Sequence, residues 1–578
     1  MKQKAEQASA FSSKDFSTKK LLLLLSFIGL VTYATSLLNG FVWDDFHFFL
    51  QNVFTGSLKY IPQIFTSNTT AGAGVSSNYY RPLSTFSFAI DHLLWFGWNP
   101  FGMHLTNMVM HILNGCLLFL WFVRLGIRKT VAFFISVIFL VHPIQTEAVT
   151  YLSSRGDILY TLFLFLSLYL YTYSLYTEKL VLTFRKWRLT LSYQVLLLLS
   201  VLLFPLAILS KEGALTTGPM YVGVLIYFFV QQKITVKKCW MQYRDHVLVI
   251  IPLLFITLFY FYLRLTFLNF GDTLNYADSQ GLYATSLLVR LYTFAKVFLL
   301  DIGLLAFPYP LYLERDTTIV TTFLSPWVLG AVGVVVGMIF AGIWEIKKRK
   351  SALIFFSLIL IFANLLSVSG IIPMTGLIRE NWLYVPMVGF YTIAVVIAGL
   401  VFPQLAKFTG MLFWGSVVVT SIYIAMTINQ NTYWKNNITY LSHNLDYTNT
   451  SRLHLNLGNA YMQIGQYNKA FKELKEAEKL GDYYPQTHYN LGTIYLHEKK
   501  NDLAEKEFLI SLDLDPSFLY AYAPLVNIYI GENKPGSALP FIKKLTLIYP
   551  DDYRLMLLYA KVLAQNGDTQ NALAAFEQ

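Results

Sequence analysis

From about residue 20 to residue 430 the chain alternates long apolar runs with short polar intervals, and beyond that point apolar residues recur only at helical spacing. Runs long enough to cross a bilayer as helices lie at about 21–39, 101–123, 130–147, 158–176, 190–209, 213–231, 246–268, 323–344, 351–371, 383–402 and 409–428. Eleven crossings are therefore expected. A further run, 286–307, ends in FPYPLY; its prolines, with no basic loop after them, predict a re-entrant or interfacial segment. The first run follows Lys19 and Lys20 but has nearly spanning length and no A-x-A site behind it, so it reads as a retained helix and not a cleaved leader.

The last part of the chain has a period of 34 residues, the length of a tetratricopeptide (TPR) repeat. Leu457, Leu491, Leu525 and Tyr559 are in phase, as are Tyr461, Tyr495, Tyr529 and Leu563. Ala470, Ala504, Ala538 and Ala572 keep the same spacing, and so do Pro516 and Pro550. Small alanines permit close helix approach, and a proline after each pair stops one unit before the next begins. Gly458 and Gly492 suit the tight position within a pair, whereas Val526 replaces them in the third unit, whose Pro524 and Pro540 are expected to disturb its helices. The predicted fold is all-α: a polytopic helix bundle followed by a C-terminal α-solenoid. Its expected parts are a tail at 1–20, a membrane domain at 21–428, a linker at 429–450 and about 3.5–4 repeats at 451–578.

Composition agrees: 55% of the 578 residues are hydrophobic, 17% aromatic and only 13% charged, with a mean hydropathy of +0.48, which is a membrane-protein profile. The net charge of +11 comes from short basic clusters between apolar runs and not from one continuous basic face, so no nucleic-acid partner is expected. Those clusters set orientation, because Lys and Arg are retained on the cytoplasmic side. With the N-terminus inside, Lys2, Lys4, Lys14, Lys19, Lys20, Arg124, Arg128, Lys129, Lys179, Arg185, Lys186, Arg188, Lys233, Lys237, Lys238, Arg244, Lys347, Lys348, Arg349, Lys350 and Lys407 fall on that side. Only Lys59, Arg81, Arg155, Lys211, Arg315 and Arg379 are clearly outside, and eleven crossings place the repeats outside as well. The two cysteines, Cys116 and Cys239, offer no disulfide framework.

The outer side collects the polar chemistry. Asp44 and Asp45 stand together in NGFVWDDFHFFLQN, just beyond the first span, where charge is costly among aromatics. In the second span His104, Asn107 and His111 share one helical face. VHPIQTEAVTYLSSRGDILY brings His142, Glu147, Arg155 and Asp157 to one helix end, LSKEGAL places Lys211 and Glu212 in a short turn, and GLIRENWLYVP supplies Arg379, Glu380 and Tyr384.

Taken in order, WDD, YRPL with the following histidines, HP…TEAV.YLSSRGD, KEGAL, RENWLYVP and NTYWKNNITYL ahead of TPR units resemble the transmembrane and tetratricopeptide-repeat-containing O-mannosyltransferases, a branch of the GT-C glycosyltransferases. The resemblance runs from about residue 20 to the end. It implies transfer of a sugar, mannose or another hexose, from a polyprenyl-phosphate donor to a hydroxyl of a protein acceptor on the non-cytoplasmic face. That face would be outside the plasma membrane in a prokaryote and within the endoplasmic reticulum in a eukaryote. By the same analogy Asp44 is the general base, while Asp45 binds acceptor backbone or supports a metal. Arg155, in the RGD-type element, is the first choice to hold the leaving phosphate, with Arg81, Lys211 and Arg379 behind it. His104, His142, Glu147, Asp157, Glu212, Glu380 and Tyr384 form a supporting polar cluster. The repeats would hold the acceptor, and no cofactor or essential metal is expected.

Bland readings stand beside these. The Asp pair could cap a loop, the Arg379–Glu380 and Lys211–Glu212 neighbours could be structural ion pairs, and the histidines are more naturally hydrogen-bonded than metal-bound. Two other functions compete: a non-catalytic scaffold recruiting partners through its repeats, and a transporter of the same lipid-linked sugar. Recruitment needs neither the Asp pair nor outer arginines, and transporters gather charge near the bilayer midplane and not at the rim.

Overall fold

The computed structural model describes residues 17–577 apart from 76, 185–186, 271–280, 314, 316, 373–375, 405–408 and 482. The chain divides into two compact units, Met1–Asn436 and Asn437–Gln578. Lys2, Lys4, Lys14, Arg185, Lys186 and Lys407, which count toward orientation, lie outside the described residues.

In the first unit every expected span is helical. Among the described residues eight continuous helices are long and apolar enough to cross a membrane: Thr18–Leu38, Pro100–Arg124, Leu152–Tyr176, Tyr193–Ser210, Glu212–Gln232, Trp240–Leu265, Pro326–Arg349 and Gly410–Tyr433. The run at 130–147 is broken into Lys129–Val141 and Pro143–Val149, bent by 53°. Pro143 cannot donate a backbone hydrogen bond, and His142 caps the break by accepting the Ile144 amide at Nδ1. Leu353–Val368 and Pro386–Val401 are shorter apolar helices. They pack closely because Gly389 has no side chain: a Cβ there would lie 2.6 Å from the Ser357 carbonyl oxygen.

The run at 286–307 forms one continuous helix, Leu287–Ala306, which carries three charged residues, Arg290, Lys296 and Asp301, and is not among the candidate spans. Its inner face buries Arg290, Lys296 and Asp301. Arg290 donates to the carbonyls of Gly370, Tyr283, Ala284 and Ile371, and Lys296 to Thr318. Arg290 and Lys296 point into the bundle and find partners there, and Asp301 interacts electrostatically with Arg315. One departure from the all-α expectation is a hairpin, Lys179–Phe184 paired antiparallel with Trp187–Ser192 in the register Lys179↔Ser192. Its second strand, WRLTLS, alternates apolar and polar residues as a short strand does, and the next helix begins at Tyr193.

The boundary between the units falls at 436/437, inside the stretch expected to be a linker. That stretch is mostly helical: Thr409–Tyr433 runs into it, and Asn437–Leu445 forms a helix of its own that buries Tyr440 and Leu441.

In the second unit the helix pairs are Ser451–Gln463 with Tyr467–Leu480, Pro485–His497 with Asn501–Leu514, Tyr522–Gly531 with Pro535–Ile548, and Tyr553–Gln565 with Thr569–Glu577. The phased alanines are buried against their partners. A Cβ on Gly458 would meet Leu474 at 2.8 Å, and one on Gly492 would meet Phe508 at 2.7 Å, so each glycine marks the closest crossing of its pair. The third unit forms despite its prolines. Pro524 sits in the first turn, where amides lack intrahelical acceptors in any case, and Pro540 is accommodated inside its helix. A second repeating contact emerges here: His454 bonds Glu473 at 2.7 Å and, 34 residues on, His488 bonds Glu507 at 2.6 Å. In the third unit the same positions are Tyr522 and Phe541, whose rings approach to 6.1 Å.

Candidate active site

Polar residues from several loops converge on one turn, Ser153–Asp157. The helix that follows it packs tightly against the start of the Lys211 turn, because a Cβ on Gly156 would lie 3.0 Å from the Ser210 carbonyl oxygen. The four side chains of SSRGD then reach partners on several different segments.

Asp45 is wholly buried. Its Oδ1 accepts the Ser153 amide at 2.9 Å and the Ser153 hydroxyl at 2.6 Å, and its Oδ2 accepts the Val42 amide at 2.9 Å. Burial pushes its pKa up to about 7, against the pull of those donors. Asp44 is only half-buried, and its amide donates to the Tyr151 hydroxyl at 3.2 Å. The two adjacent carboxylates thus have different surroundings. The short helix after them, Phe46–Leu50, is seated by Phe49, which packs on Phe88 with ring centroids 4.7 Å apart.

Arg155 is completely buried, and its guanidinium is fully engaged. It meets Asp91 at 2.6 Å, Asn107 Oδ1 at 2.7 Å and the Met103 carbonyl at 3.3 Å, reaches Ser87 at 3.4 Å, and lies 4.3 Å over the Phe88 ring. The expected phosphate role for Arg155 finds no support in this geometry: no donor points outward, and the residue instead ties the helix Pro82–Leu94 to Pro100–Arg124.

Lys211 Nζ lies 2.6 Å from both Asp157 oxygens. Asn381 donates to Asp157 at 3.0 Å and to Ser154 at 3.4 Å, while its amide donates to Glu147 at 3.1 Å. Arg379 is half-buried and interacts electrostatically with Glu147. Arg81 bonds Glu212 at 2.8 Å and stacks over Tyr79. Glu380 pairs with Arg315 at 2.8 Å, and burial pushes it up to about 7 against that guanidinium. Lys211, Arg81 and Arg379 therefore stand within one network of alternating charge. Arg81 and Lys211 keep part of their side chains accessible.

The histidines behave differently. His104 Nε2 lies 3.4 Å from the Gly40 carbonyl, His111 bonds Tyr384 and the Leu140 carbonyl, and His142 bonds the Leu305 carbonyl. Tyr384 is not at the rim: it is buried, with His111 and Asn114 on its hydroxyl. Among the described residues the one His and carboxylate group with metal-like spacing lies in the repeats, Glu478, His488 and Glu507. There Lys475 already stands 2.8 Å from Glu478 and 3.4 Å from Glu507, so a cation is in place.

Sequence reasoning missed Ser153, Asp91, Asn381 and Arg315. An acid inside the apolar helix FAIDHLL was the available signal for Asp91, and Ser153 and Asn381 lie inside motifs quoted for their charged neighbours.

Residues 458–497 match the model of the TPR repeat, and 485–518 that of the tetratricopeptide repeat. Protein O-mannosyl-transferase F38B6.6 of Caenorhabditis elegans is 23% identical over 81% of this chain and 64% of its own length. Protein O-mannosyl-transferase TMTC3 of Mus musculus is 23% identical over 96% of this chain and 61% of its own. Protein O-mannosyl-transferase TMTC1 of Homo sapiens reaches 34% identity, over 26% of this chain and 18% of its own. The chain thus spans about three fifths of the length of the first two relatives. The crystal structure of MamA aligns with 24% of this chain at 23% identity and a TM-score of 0.23, too low to bear on the fold. The homologues of this membrane-helical, repeat-bearing chain are named protein O-mannosyl-transferases, TMTC3 and TMTC1 among them, as the ordered motifs of its polar loops led one to expect.

Proposed function

We propose that this protein is a membrane glycosyltransferase that moves a hexose, mannose by the naming of its relatives, from a polyprenyl-phosphate donor to a hydroxyl of a protein acceptor. The observation that carries this reading is likeness along 81% to 96% of the chain to proteins named protein O-mannosyl-transferases. The geometry of the turn at 153–157 supports it. A transfer that inverts the sugar needs a carboxylate to take the proton of the attacking hydroxyl while the phosphate leaves from the opposite face. Of the Asp pair, Asp44 alone is accessible, so it is the base.

The leaving phosphate develops charge and needs cations aimed at it. Arg81, Lys211 and Arg379 fill that role in place of the buried Arg155, and their acidic partners Glu212, Asp157 and Glu147 hold them in position until an anion arrives. No essential metal is proposed, because the ring contacts of His104, His111 and His142 described above are those of structural histidines. The scaffold reading leaves this charge network without a purpose. The transporter reading fares no better, since the network joins loops at the ends of the helices.

The Asp pair and the repeats act together only on one side of the membrane, taken as the non-cytoplasmic side. With Cys116 and Cys239 changed to Ala, a membrane-impermeant thiol reagent on intact cells is expected to label single cysteines at the exposed Val53 and Gln486 and to miss one at Thr235. Labelling at Val53 without labelling at Gln486 would place the repeats in the cytoplasm.

The repeats are read as an acceptor-holding surface that raises local concentration. Membranes given radiolabelled polyprenyl-phosphate sugar are expected to label a protein acceptor. A chain cut after Leu441 should lose more transfer to a full-length protein than to a short Ser/Thr peptide. Equal loss for both would make the repeats structural, and no transfer by the full chain to either would overturn the proposed activity.

A further inference from the structure

Asp45 spans a gap that the backbone would not close unaided. One of its oxygens holds the Val42 amide three residues back, and the other holds both the amide and the hydroxyl of Ser153, more than a hundred residues on. Between these two anchors lie Trp43 and Asp44. Trp43 has φ +53°, a left-handed conformation that a bulky side chain seldom adopts and that persists only where neighbours over-determine it. Asp44 is held from the other side by Tyr151, whose hydroxyl receives its amide and whose ring stacks on Trp434 with centroids 5.2 Å apart. Tyr151 and Ser153 thus grip Asp44 and its neighbour from alternate positions of one turn.

We infer that Ser153, acting through Asp45, is a positioning residue that sets the direction of the Asp44 carboxylate for transfer. The inference rests on the reading of Asp44 as the base. Ser153 takes no part in the chemistry itself. Its hydroxyl favours the ionised form of Asp45 and holds the side chain in place, and Asp45 in turn fixes the strained Trp43–Asp44 link.

The three donors on Asp45 match the ionised carboxylate, which has only acceptors to offer. The charged and titratable groups around it are Asp44 on its own segment, Arg155 on the turn, and His104, whose ring meets the Gly40 carbonyl. Ser153 lowers the Asp45 pKa. Removing the hydroxyl raises that pKa further, so Asp45 becomes protonated at higher pH and the acidic limb of the kcat profile moves upward.

The test uses the purified full chain, a polyprenyl-phosphate hexose and a Ser/Thr peptide. Ser153→Ala should lower kcat about 10-fold, the scale of one lost charge-assisted hydrogen bond, leave the KM for the lipid donor unchanged, and move the acidic limb to higher pH. Ser153→Thr, which keeps a hydroxyl, should restore much of the rate. In an Asp44→Asn background Ser153→Ala should cost nothing more, because the residue it positions is already inactive. If the alanine variant fails to accumulate, Ser153→Cys, nearly isosteric with a weaker donor, gives the same readouts. A Ser153→Ala protein with normal kcat and an unshifted pH profile, alongside an inactive Asp44→Asn, overturns this inference alone. An active Asp44→Asn overturns the reading on which it rests.

Discussion

The Asp44→Asn protein is expected to insert and fold normally and to transfer sugar at least about 10²-fold more slowly than the natural chain, the loss typical when a general base is removed. Asparagine keeps the size of the side chain and leaves the backbone bond to Tyr151 untouched, so the change reports on the lone pair that takes the proton. Asp45→Asn is a different experiment. It places an amide NH₂ against the Val42 or Ser153 donors in a fully buried site, and such an unsatisfied contact costs about 1–3 kcal/mol. That variant should lose stability together with activity. A fully active Asp44→Asn with a folded but inactive Asp45→Asn would exchange the two roles, and full activity in both would remove the Asp pair from the mechanism.

Arg155→Ala is expected to abolish folding or lower the melting temperature of the purified protein sharply. The side chain is wholly buried, and its loss strands Asp91 and Asn107 in the bundle. Breaking a buried pair in this way costs about 3–5 kcal/mol, because one charge is left uncompensated. Arg155→Lys retains a charge for Asp91 but lacks the planar fork that also reaches Asn107, Met103 and Ser87, and it should fall between the two. A stable Arg155→Ala protein whose only defect is weaker donor binding would return Arg155 to the phosphate.

Only part of the site was legible in the chain. Spanning runs are long, and their apolar signal accumulates over many residues, so all eleven coincide with helices. The 34-residue period placed the repeat helices for the same reason. The carboxylates and cations were singled out because charge beside a membrane is expensive and needs a reason, and the fold gathers most of them around one turn. Their individual roles were not legible. Whether Arg155 faces a ligand or Asp91 depends on how two helices pack 64 residues apart, and no local pattern encodes that. Asp44 and Asp45 are adjacent and chemically identical in the sequence, and only the fold buries one and leaves the other accessible. The hairpin at 179–192 and the helix Asn437–Leu445 were missed because short elements give weak periodicity.

The central claim is tested most directly by giving the purified full chain a polyprenyl-phosphate hexose and a Ser/Thr peptide, then reading the mass of the peptide and the anomeric configuration of any attached sugar. The account predicts a peptide heavier by one hexose, linked through a hydroxyl with inverted configuration, and no product when a nucleotide sugar replaces the lipid donor. Retained configuration, or transfer that requires the nucleotide sugar, would contradict it.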